Sequence, residues 1–375
     1  MKILWIPHTG WHIPQRAHTF CRPLAERHEV HVTDWIADFS SLRDYFSQRY
    51  LRNFTYRRYM DGLITVHGIP RISPALFFSS LRRLNTAIFS RYVQNIINLY
   101  RIDVVVGTFV VPPPEAPRLI FDLFDENISG WEIKSQAYAR EIESVENSYI
   151  RSADAIVASS SVLYEKADAC NPQCSIHHIP NGVDFNLVQL ADGKRVRAQL
   201  NIPGRLVGTI GSLDNSIELN KLLKVAKIFQ KEQVTFLIAG RGSALQKAQK
   251  QVKQEGLSNV VFYGYVPPEN AYSVASALDV AICPYSKTRM DDARCPMKLL
   301  MFSAVGLPTV CTDLEEVRRM NFQNVVLVEE DPVSLTRGIR QALNMPRVRP
   351  PQIMRYDLKH LVNQYEALFS GEIPE

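Results

Sequence analysis

The sequence predicts an α/β protein built from two doubly wound, Rossmann-like domains that face a central cleft. Three observations carry that prediction. Strand-length apolar runs alternate with helix-length segments, the pattern of parallel sheets with crossover helices. The series starts afresh at Arg205, after a stretch from Pro180 to Leu200 with the character of a connection. A chain of 375 residues is also long enough for two domains of ordinary size, each with its own core.

In chain order, Lys2–Pro7 reads as a strand, His8–Gln15 as a loop, Arg16–Arg27 as a helix and Glu29–Thr33 as the next strand. The loop has one glycine, Gly10, and no Gly-x-Gly-x-x-Gly pattern, so no dinucleotide site is expected there. Ser41–Leu63 reads as a helix dense in arginine and aromatics. Phe77–Tyr100 follows, with Phe77, Leu81, Leu84, Ile88, Tyr92, Ile96 and Tyr100 spaced in threes and fours along one helical face. Between Arg43 and Arg101 stand ten arginines and only two acids, Asp44 and Asp61. That excess has two compatible readings. One is a pair of helices packed on the sheet by their apolar sides. The other is a basic, aromatic surface for an acidic membrane or an acidic acceptor.

Ile102–Val106 is a strand, followed by a proline-rich loop that cannot be a central strand. The strand Arg118–Phe121 leads into an acidic cluster, Asp122, Asp125 and Glu126. Acids just after a strand sit where open α/β sheets place ligands. Equally, Asp122 or Asp125 would serve as N-cap of the helix expected at Glu132–Ser152. Strand Ala155–Ala158, helix Ser159–Ala169 and strand Ile176–Ile179 complete the first domain. The second opens with strand Arg205–Ser212 and helix Ile217–Glu232. Strand Val234–Ala239, helix Ala244–Glu255, strand Asn259–Tyr263 and helix Ala271–Ala277 continue it. Val325–Val328 is its last strand, and helices Ser334–Asn344 and Leu358–Phe369 flank a stiff proline-rich linker. The expected limits are residues 1–185 for the first domain and 186–350 for the second. A C-terminal helix within 351–375 is expected to cross back to the first domain.

The composition, 46% hydrophobic and 22% charged, is that of a globular protein rather than a disordered one. The N-terminus is too short in apolar residues and too polar for a signal peptide, and no apolar run is long enough to span a membrane. Six scattered cysteines, several within apolar strands, suit a reducing compartment better than a disulfide framework. A cytoplasmic protein is expected, placed at the inner face of the cell membrane if the basic region meets lipid. Cys170, Cys174, His177 and His178 carry ligand-type side chains within a short span. Adjacent histidines on a strand point oppositely, however, so no metal site is assigned.

The stretch Leu278–Asp313 is the organising feature. It reads as a buried strand (Val280–Pro284), a charged loop (Tyr285–Cys295), a helix from Pro296 to Val305 stopped by Gly306, and a strand (Thr309–Thr312). Proline suits a first helical turn and glycine suits the position just past the last. The loop therefore delivers its residues to a helix N-terminus, where free N–H groups and the helix dipole favour an anion. Lys287, Arg289, Arg294 and Lys298 crowd the same place, which points to a phosphate site for a nucleotide-linked ligand.

With these motifs in hand, the chain resembles a GT-B glycosyltransferase of the large retaining family 4, and within it the teichuronic-acid-type subgroup. The carriers are the acidic cluster Asp122–Asn127 ahead of a helix with Glu141 and Glu143, the run Ser152–Leu163, His178–Asp184, Phe262–Tyr285 and Pro296–Val310. The resemblance covers most of the chain and is strongest from Ile120 to Asp313. It implies transfer of a sugar, with retention and without a metal or other cofactor, from a nucleotide diphosphate sugar. A UDP-sugar is favoured over a GDP-sugar, the acceptor is a glycan or a lipid-linked glycan, and no nucleic-acid partner is expected. By that resemblance Gly10, Arg241, Arg294, Cys295, Met297 and Lys298 would hold the donor diphosphate, with Lys298 ranked first. Asp291 and Asp292 would meet the donor sugar or ribose, and Tyr265 and Val266 the base. Asp125 and Glu126 would position or deprotonate the acceptor hydroxyl.

Two departures stand out. The family's pair of glutamates falls on Ala293 and Met301, and its arginine after the first strand of the second domain falls on Ser212, with no lysine following closely. Three readings stay open: a sugar transferase building a surface polysaccharide or glycolipid, a same-fold enzyme with another acceptor or an epimerase, and a non-catalytic nucleotide-binding relative.

Overall fold

The computed structural model describes residues 1–35, 54–72, 78–129, 135–214 and 216–372. They form two compact units, Met1–Pro180 with Leu361–Glu375, and Asn181–His360.

The first unit is organised on eight strands: β1 (Lys2–Trp5), β2 (Glu29–Asp34), β3 (Arg57–Asp61), β4 (Ile64–Gly68), β5 (Val104–Gly107), β6 (Leu119–Leu123), β7 (Ala155–Ala158) and β8 (Ile176–His178). Their order is β3-β4-β2-β1-β5-β6-β7-β8, and only β3 runs antiparallel to its neighbour. The central strands are apolar on both faces because helices cover both sides, which is why they read as continuous runs rather than alternations. The order reverses direction between β2-β1 and β5, so the loops after β1 and β5 leave the sheet on opposite sides of a crevice.

The second unit repeats the plan with β9 (Arg205–Ser212), β10 (Val234–Arg241), β11 (Val260–Gly264), β12 (Val280–Cys283), β13 (Thr309–Thr312) and β14 (Val325–Val328). All are parallel, in the order β11-β10-β9-β12-β13-β14. Two apolar layers sandwich the sheet. One includes Leu237, Leu299, Phe302 and Leu314, the other Leu222, Phe229, Phe236 and Leu335. The order reverses between β9 and β12, which marks the switch point of this sheet.

Several expectations are corrected. The helix expected at Ser41–Leu63 gives way, in its described part, to strand β3 and a tight turn; residues 41–53 of that segment lie outside the described residues. Asp61-Gly62 is the reason. Gly62 takes φ +59, joins β3 to β4 through a two-residue connection, and the hairpin then pairs onto β2. Pro180–Leu200 is not a bare connection but carries two short helices, Phe185–Gln189 and Gly193–Leu200. Each is started by an aspartate: Asp184 accepts from the Asn186 amide at 2.9 Å and Asp192 from the Arg195 amide at 2.9 Å. The helix Glu315–Met320 was not anticipated, and the charged loop after β12 contains a short helix, Arg289–Asp292.

Neither acid proposed as a cap plays that part. Ser135 caps the helix Gln136–Ser152 by accepting the Tyr138 amide at 3.3 Å, while residues 130–134 lie outside the described residues. Asp122 is buried against Arg16, whose Nε donates to it at 3.1 Å. The same guanidinium donates to the Ile179 carbonyl at 2.6 Å and the Tyr365 hydroxyl at 3.0 Å, and that hydroxyl in turn donates to Asp122 at 3.0 Å. Burial pushes the Asp122 carboxyl up, and Arg16 opposes that shift. The network ties the C-terminal helix Leu358–Ser370 to β6 and the helix Arg16–Leu24. A buried charge pair is tolerated only when its remaining donors and acceptors are also met, as here.

Candidate functional site

At the switch point of the second sheet, β9 and β10 approach unusually closely at their carboxyl ends. Gly211 and Gly240 are register partners with φ of +140 and +142, and a β-carbon on Gly240 would lie 1.8 Å from the Gly211 carbonyl. Only glycine meets both demands. A β-carbon on Gly211 would meet the Lys298 Cε at 3.8 Å, so the lysine stem lies along the end of β9. Ser212, at the expected arginine position, donates to Asp214, which also accepts the Ser243 amide at 2.7 Å. That aspartate shapes the loop instead of meeting a ligand through an arginine.

Tyr285, at the end of β12, is the hub of the site. Its ring is buried, with the Lys298 ammonium 5.0 Å and the Arg294 guanidinium 5.4 Å from the ring centre. Cations held over an aromatic face are attracted by its quadrupole. The Tyr285 carbonyl accepts from Thr312 Oγ1 at 2.8 Å and Lys221 Nζ at 3.3 Å, which fixes the start of the loop. Burial raises the phenol well above its ordinary value, so it stays protonated.

The helix Met297–Ala304 begins here with Pro296 as its cap residue, which supplies no side-chain acceptor to its first amides. Its first turn has no acid, and Met297 is exposed. Cys295 is buried; its carbonyl accepts from Asn181 Nδ2 at 2.7 Å, which anchors the approach to the helix. The result is a helix N-terminus with Lys298 in its own first turn, the arrangement that suits a diphosphate.

The remaining expected residues divide by how firmly the protein already holds them. Asp291 is buried, bonded to Thr288 Oγ1 at 2.7 Å and paired with Arg294 at 3.3 Å, so its carboxylate orients the arginine. Asp292 accepts the Glu315 amide at 3.1 Å at the start of the next helix. Lys287 is drawn away, paired with Glu329 at 3.0 Å. Arg241 lies 4.3 Å over the ring of Tyr265, a half-exposed platform, with Val266 buried beside it. Ala293 is buried, and Met301 is half-buried against the apolar layer beneath the site.

Sequence reasoning missed Glu218. It stands in the first turn of the helix Ser216–Ile228, which follows β9, and its charge interacts with Lys298, Asp291, Arg294 and Lys221. The only signal was an acid at a helix start, and that is what dipole and capping preferences alone would produce.

In the first unit, Gly10 makes room for the protein's own backbone: a β-carbon there would lie 2.4 Å from the Trp35 carbonyl. The loop is held by the Trp11 amide donating to Asp34 at 2.7 Å and the Trp11 indole donating to Asp61 at 2.8 Å. After β6, the Asp125 side chain accepts the Glu126 amide at 3.1 Å. Glu126 bonds to Ser129 and lies 3.9 Å from Lys166, which pairs with the buried Glu146. His8 packs against Phe124 with ring centres 4.2 Å apart and the rings tilted by 34°, and burial lowers its pKa to about 4, so it is neutral near pH 7. Of the four ligand-type side chains between Cys170 and His178, His177 bonds to Ser175 Oγ at 2.7 Å and Cys170 is exposed. Among the described residues, no three metal-binding side chains converge.

Comparison with known proteins fits this arrangement. Residues 204–345 match the family described as Glycosyl transferases group 1. Bacillus subtilis TuaH, named as a teichuronic acid biosynthesis glycosyltransferase, is 29% identical over 205 residues, 53% of this chain and 50% of that protein. This chain thus spans about half the length of that relative. The fold matches sucrose-phosphate synthase from Thermosynechococcus elongatus with a TM-score of 0.72, at 14% identity over 99% of this chain and 98% of the other. It also matches Anabaena HepE, solved in complex with UDP and glucose, with a TM-score of 0.70, at 17% identity over 99% of each chain. The chain therefore has the two-domain fold of these GT-B structures, and its residues 204–345 match the glycosyl transferases group 1 family.

Proposed function

We propose that this chain transfers a sugar, with retention, from a nucleotide diphosphate sugar to a glycan or glycolipid acceptor. The observation that carries the reading is the meeting of Lys298, Arg294 and an uncapped helix N-terminus at the switch point of the group 1 domain. In the reaction, the bond from the anomeric carbon to the diphosphate breaks as negative charge grows on the leaving oxygens. Fixed cations and amide dipoles act where that charge develops. The new bond to the acceptor oxygen forms on the same face, and the acceptor proton passes to the departing phosphate. Lys298 and the helix N-terminus would neutralise the diphosphate, the task that a metal ion performs in other transferases, so activity should survive chelators. Asp125 and Glu126 are the groups assigned to the acceptor hydroxyl.

A UDP-sugar is the favoured donor, supported by the UDP and glucose bound to HepE. A surface polysaccharide or lipid-linked acceptor is supported by the name of TuaH. Peripheral contact with an acidic membrane through the 43–101 region is part of the reading; within its described part, Arg58, Met60 and Leu63 are exposed. No helix among the described residues is long and apolar enough to cross a membrane. Salt-sensitive binding to anionic liposomes would support the contact, and salt-independent or absent binding would remove it.

The buried Ala293 and half-buried Met301, where the family has carboxylates, favour one second reading, a nucleotide-binding relative without turnover. A thermal-shift panel of UDP, GDP, ADP, CMP and their sugar conjugates, followed by donor turnover, decides between them. A ligand that binds only the folded state raises apparent stability by mass action. Shifts with turnover support the transferase, shifts without turnover the binding relative, and no shift removes the donor site.

A further inference from the structure

Near the β3 edge of the first sheet lies a buried pair of histidines that the donor site does not use. His31 on β2 and His67 on β4 are almost fully buried, and His31 Nδ1 meets His67 Nε2 at 2.9 Å. His31 Nε2 lies 2.9 Å from the Glu29 carboxylate, and His67 Nδ1 lies 2.6 Å from the Tyr56 hydroxyl. Every ring nitrogen of the pair is thus engaged, in one chain whose ends, Glu29 and Tyr56, are exposed. A carboxylate only accepts, and that sets the direction of each bond in the chain. Neutral His31 donates from Nε2 and accepts at Nδ1, neutral His67 does the same, and Tyr56 donates. Three further groups face the pair. Lys2 of β1 pairs with Glu29 at 3.2 Å, and Arg58 of β3 donates to the Tyr100 hydroxyl at 2.8 Å. The Tyr100 ring, at the end of the helix Ser79–Tyr100, packs against both imidazoles.

We propose that His31 and His67 form a proton-controlled latch, which fastens the β3–β4 hairpin to β2 while neutral and releases it after taking up two protons from solvent. The first proton is accommodated. It enters at His67 Nδ1, the Tyr56 hydroxyl turns its own hydrogen to solvent and accepts instead, and the chain of bonds survives. The second proton puts an N–H on both of the nitrogens that face each other at 2.9 Å, and that bond breaks. Two like charges then stand near Arg58 and Lys2, at a cost that burial increases. The hairpin carries the effect to the crevice of the sheet. Tyr59 donates to Asp34 at 2.9 Å and Asp61 accepts from the Trp11 indole at 2.8 Å, so the loop after β1 is held by the same hairpin. Burial lowers the pKa of both histidines, that of His67 to about 4. The neutral pair therefore stabilises the docked hairpin above the ordinary value of 6.5, and that contribution is lost as the pH falls below it. The latch stands apart from the donor-site reading.

The test has two readouts on the full chain. The first is nitrogen-15 spectroscopy of its histidines at neutral pH, assigned with His31→Gln and His67→Gln. Both rings are expected to be neutral and protonated at Nε2; an Nδ1–H tautomer or a charged ring at either position overturns the proposal. The second is amide hydrogen exchange between about pH 6 and 4, corrected for the intrinsic pH dependence of exchange. Strands β3 and β4 and the loop after β1 should lose protection together, at a higher pH than β6 and β7. His18, stacked on Trp11, adds its own proton in every form. Removing His67 isolates the latch: the opening of His67→Gln should be less steep than that of wild type by about tenfold per pH unit, one proton fewer. Equal steepness in the two forms overturns the proposal. So does a hairpin that opens together with β6 and β7, or one that opens while the loop after β1 stays protected. The wild-type tautomers and order of opening decide the matter even if the variants fail to fold.

Discussion

Between β9 and β12 the second unit gathers Lys298, Arg294 and a helix N-terminus around a buried tyrosine. The loops after β1, β5 and β6 of the first unit hold instead a neutral His8 on Phe124 and the acids Asp125 and Glu126. Both sheets reverse their strand order at the matching place, so topology fixes where a ligand can lie and not what the ligand is. The electrostatics make the difference: a helix N-terminus with a lysine in its first turn suits a diphosphate, and neutral aromatic and acidic groups suit a sugar hydroxyl. A second contrast lies in how charges are held. Arg16 and Asp122 are fully buried and satisfied from all sides, whereas Lys298 and Glu218 keep partial access to solvent. The first arrangement is built for stability.

The largest expected effect tests that contrast from its structural side. Arg16→Met leaves Asp122 as an uncompensated buried charge and should destabilise the protein by about 3–5 kcal/mol in urea unfolding. The double variant Arg16→Met with Asp122→Leu should recover much of the loss; if it does not, the pair contributes more than mutual compensation. Next, Glu126→Gln should lower turnover by about 10²-fold while leaving donor affinity unchanged, as for loss of a group that positions the acceptor hydroxyl. An equal loss in donor affinity would place Glu126 on the wrong side of the comparison. Lys298→Ala should weaken nucleotide diphosphate binding by about 1.5–3 kcal/mol with the thermal midpoint nearly unchanged. Unaltered affinity would take Lys298 out of the site.

Acid should separate the two units. Of nine histidines, all but His360 lie in the first unit, and burial holds His8, His18 and His67 near a pKa of about 4, against an ordinary 6.5. Each is neutral when folded and more basic when unfolded. Their contribution is therefore present above about pH 6.5 and is lost as the pH falls toward 4. Trp5, Trp11 and Trp35 belong to the first unit, and the sequence has no tryptophan beyond residue 131. Tryptophan fluorescence should then report loss of structure at a higher pH than far-ultraviolet dichroism, and coincident transitions would remove the distinction. The smallest effect is expected from Arg241→Ala, which removes the stack on Tyr265 and should cost about 0.5–1 kcal/mol of nucleotide affinity.

Much of the second unit was legible residue by residue. Strands β9, β13 and β14 fall where the apolar runs place them, because strands of a parallel sheet packed between helices are dominated by apolar residues. The helix after the charged loop was equally visible, through its proline and glycine punctuation. Less was legible in the first unit. The arginines and tyrosines of Arg57–Asp61 fit a helix as well as an edge strand, and the decisive Asp61-Gly62 turn is short against so long a polar run. Asp122 could not be told from a cap, since a lone aspartate carries no sign of a partner more than a hundred positions earlier in the chain.

By itself, then, the sequence determined the alternation of strands and helices, the paired doubly wound sheets and the loop-to-helix junction that invites an anion. Those follow from local periodicity and from residues with strict backbone demands. Only the tertiary structure decided which charges stand alone and which are spent. It gave Asp291 to Arg294, Lys287 to Glu329 and Arg16 to Asp122, set Lys298 over Tyr285, and brought Glu218 to it from another helix. A charge acts through its neighbours in space, and at this switch point those neighbours come from segments far apart in the chain.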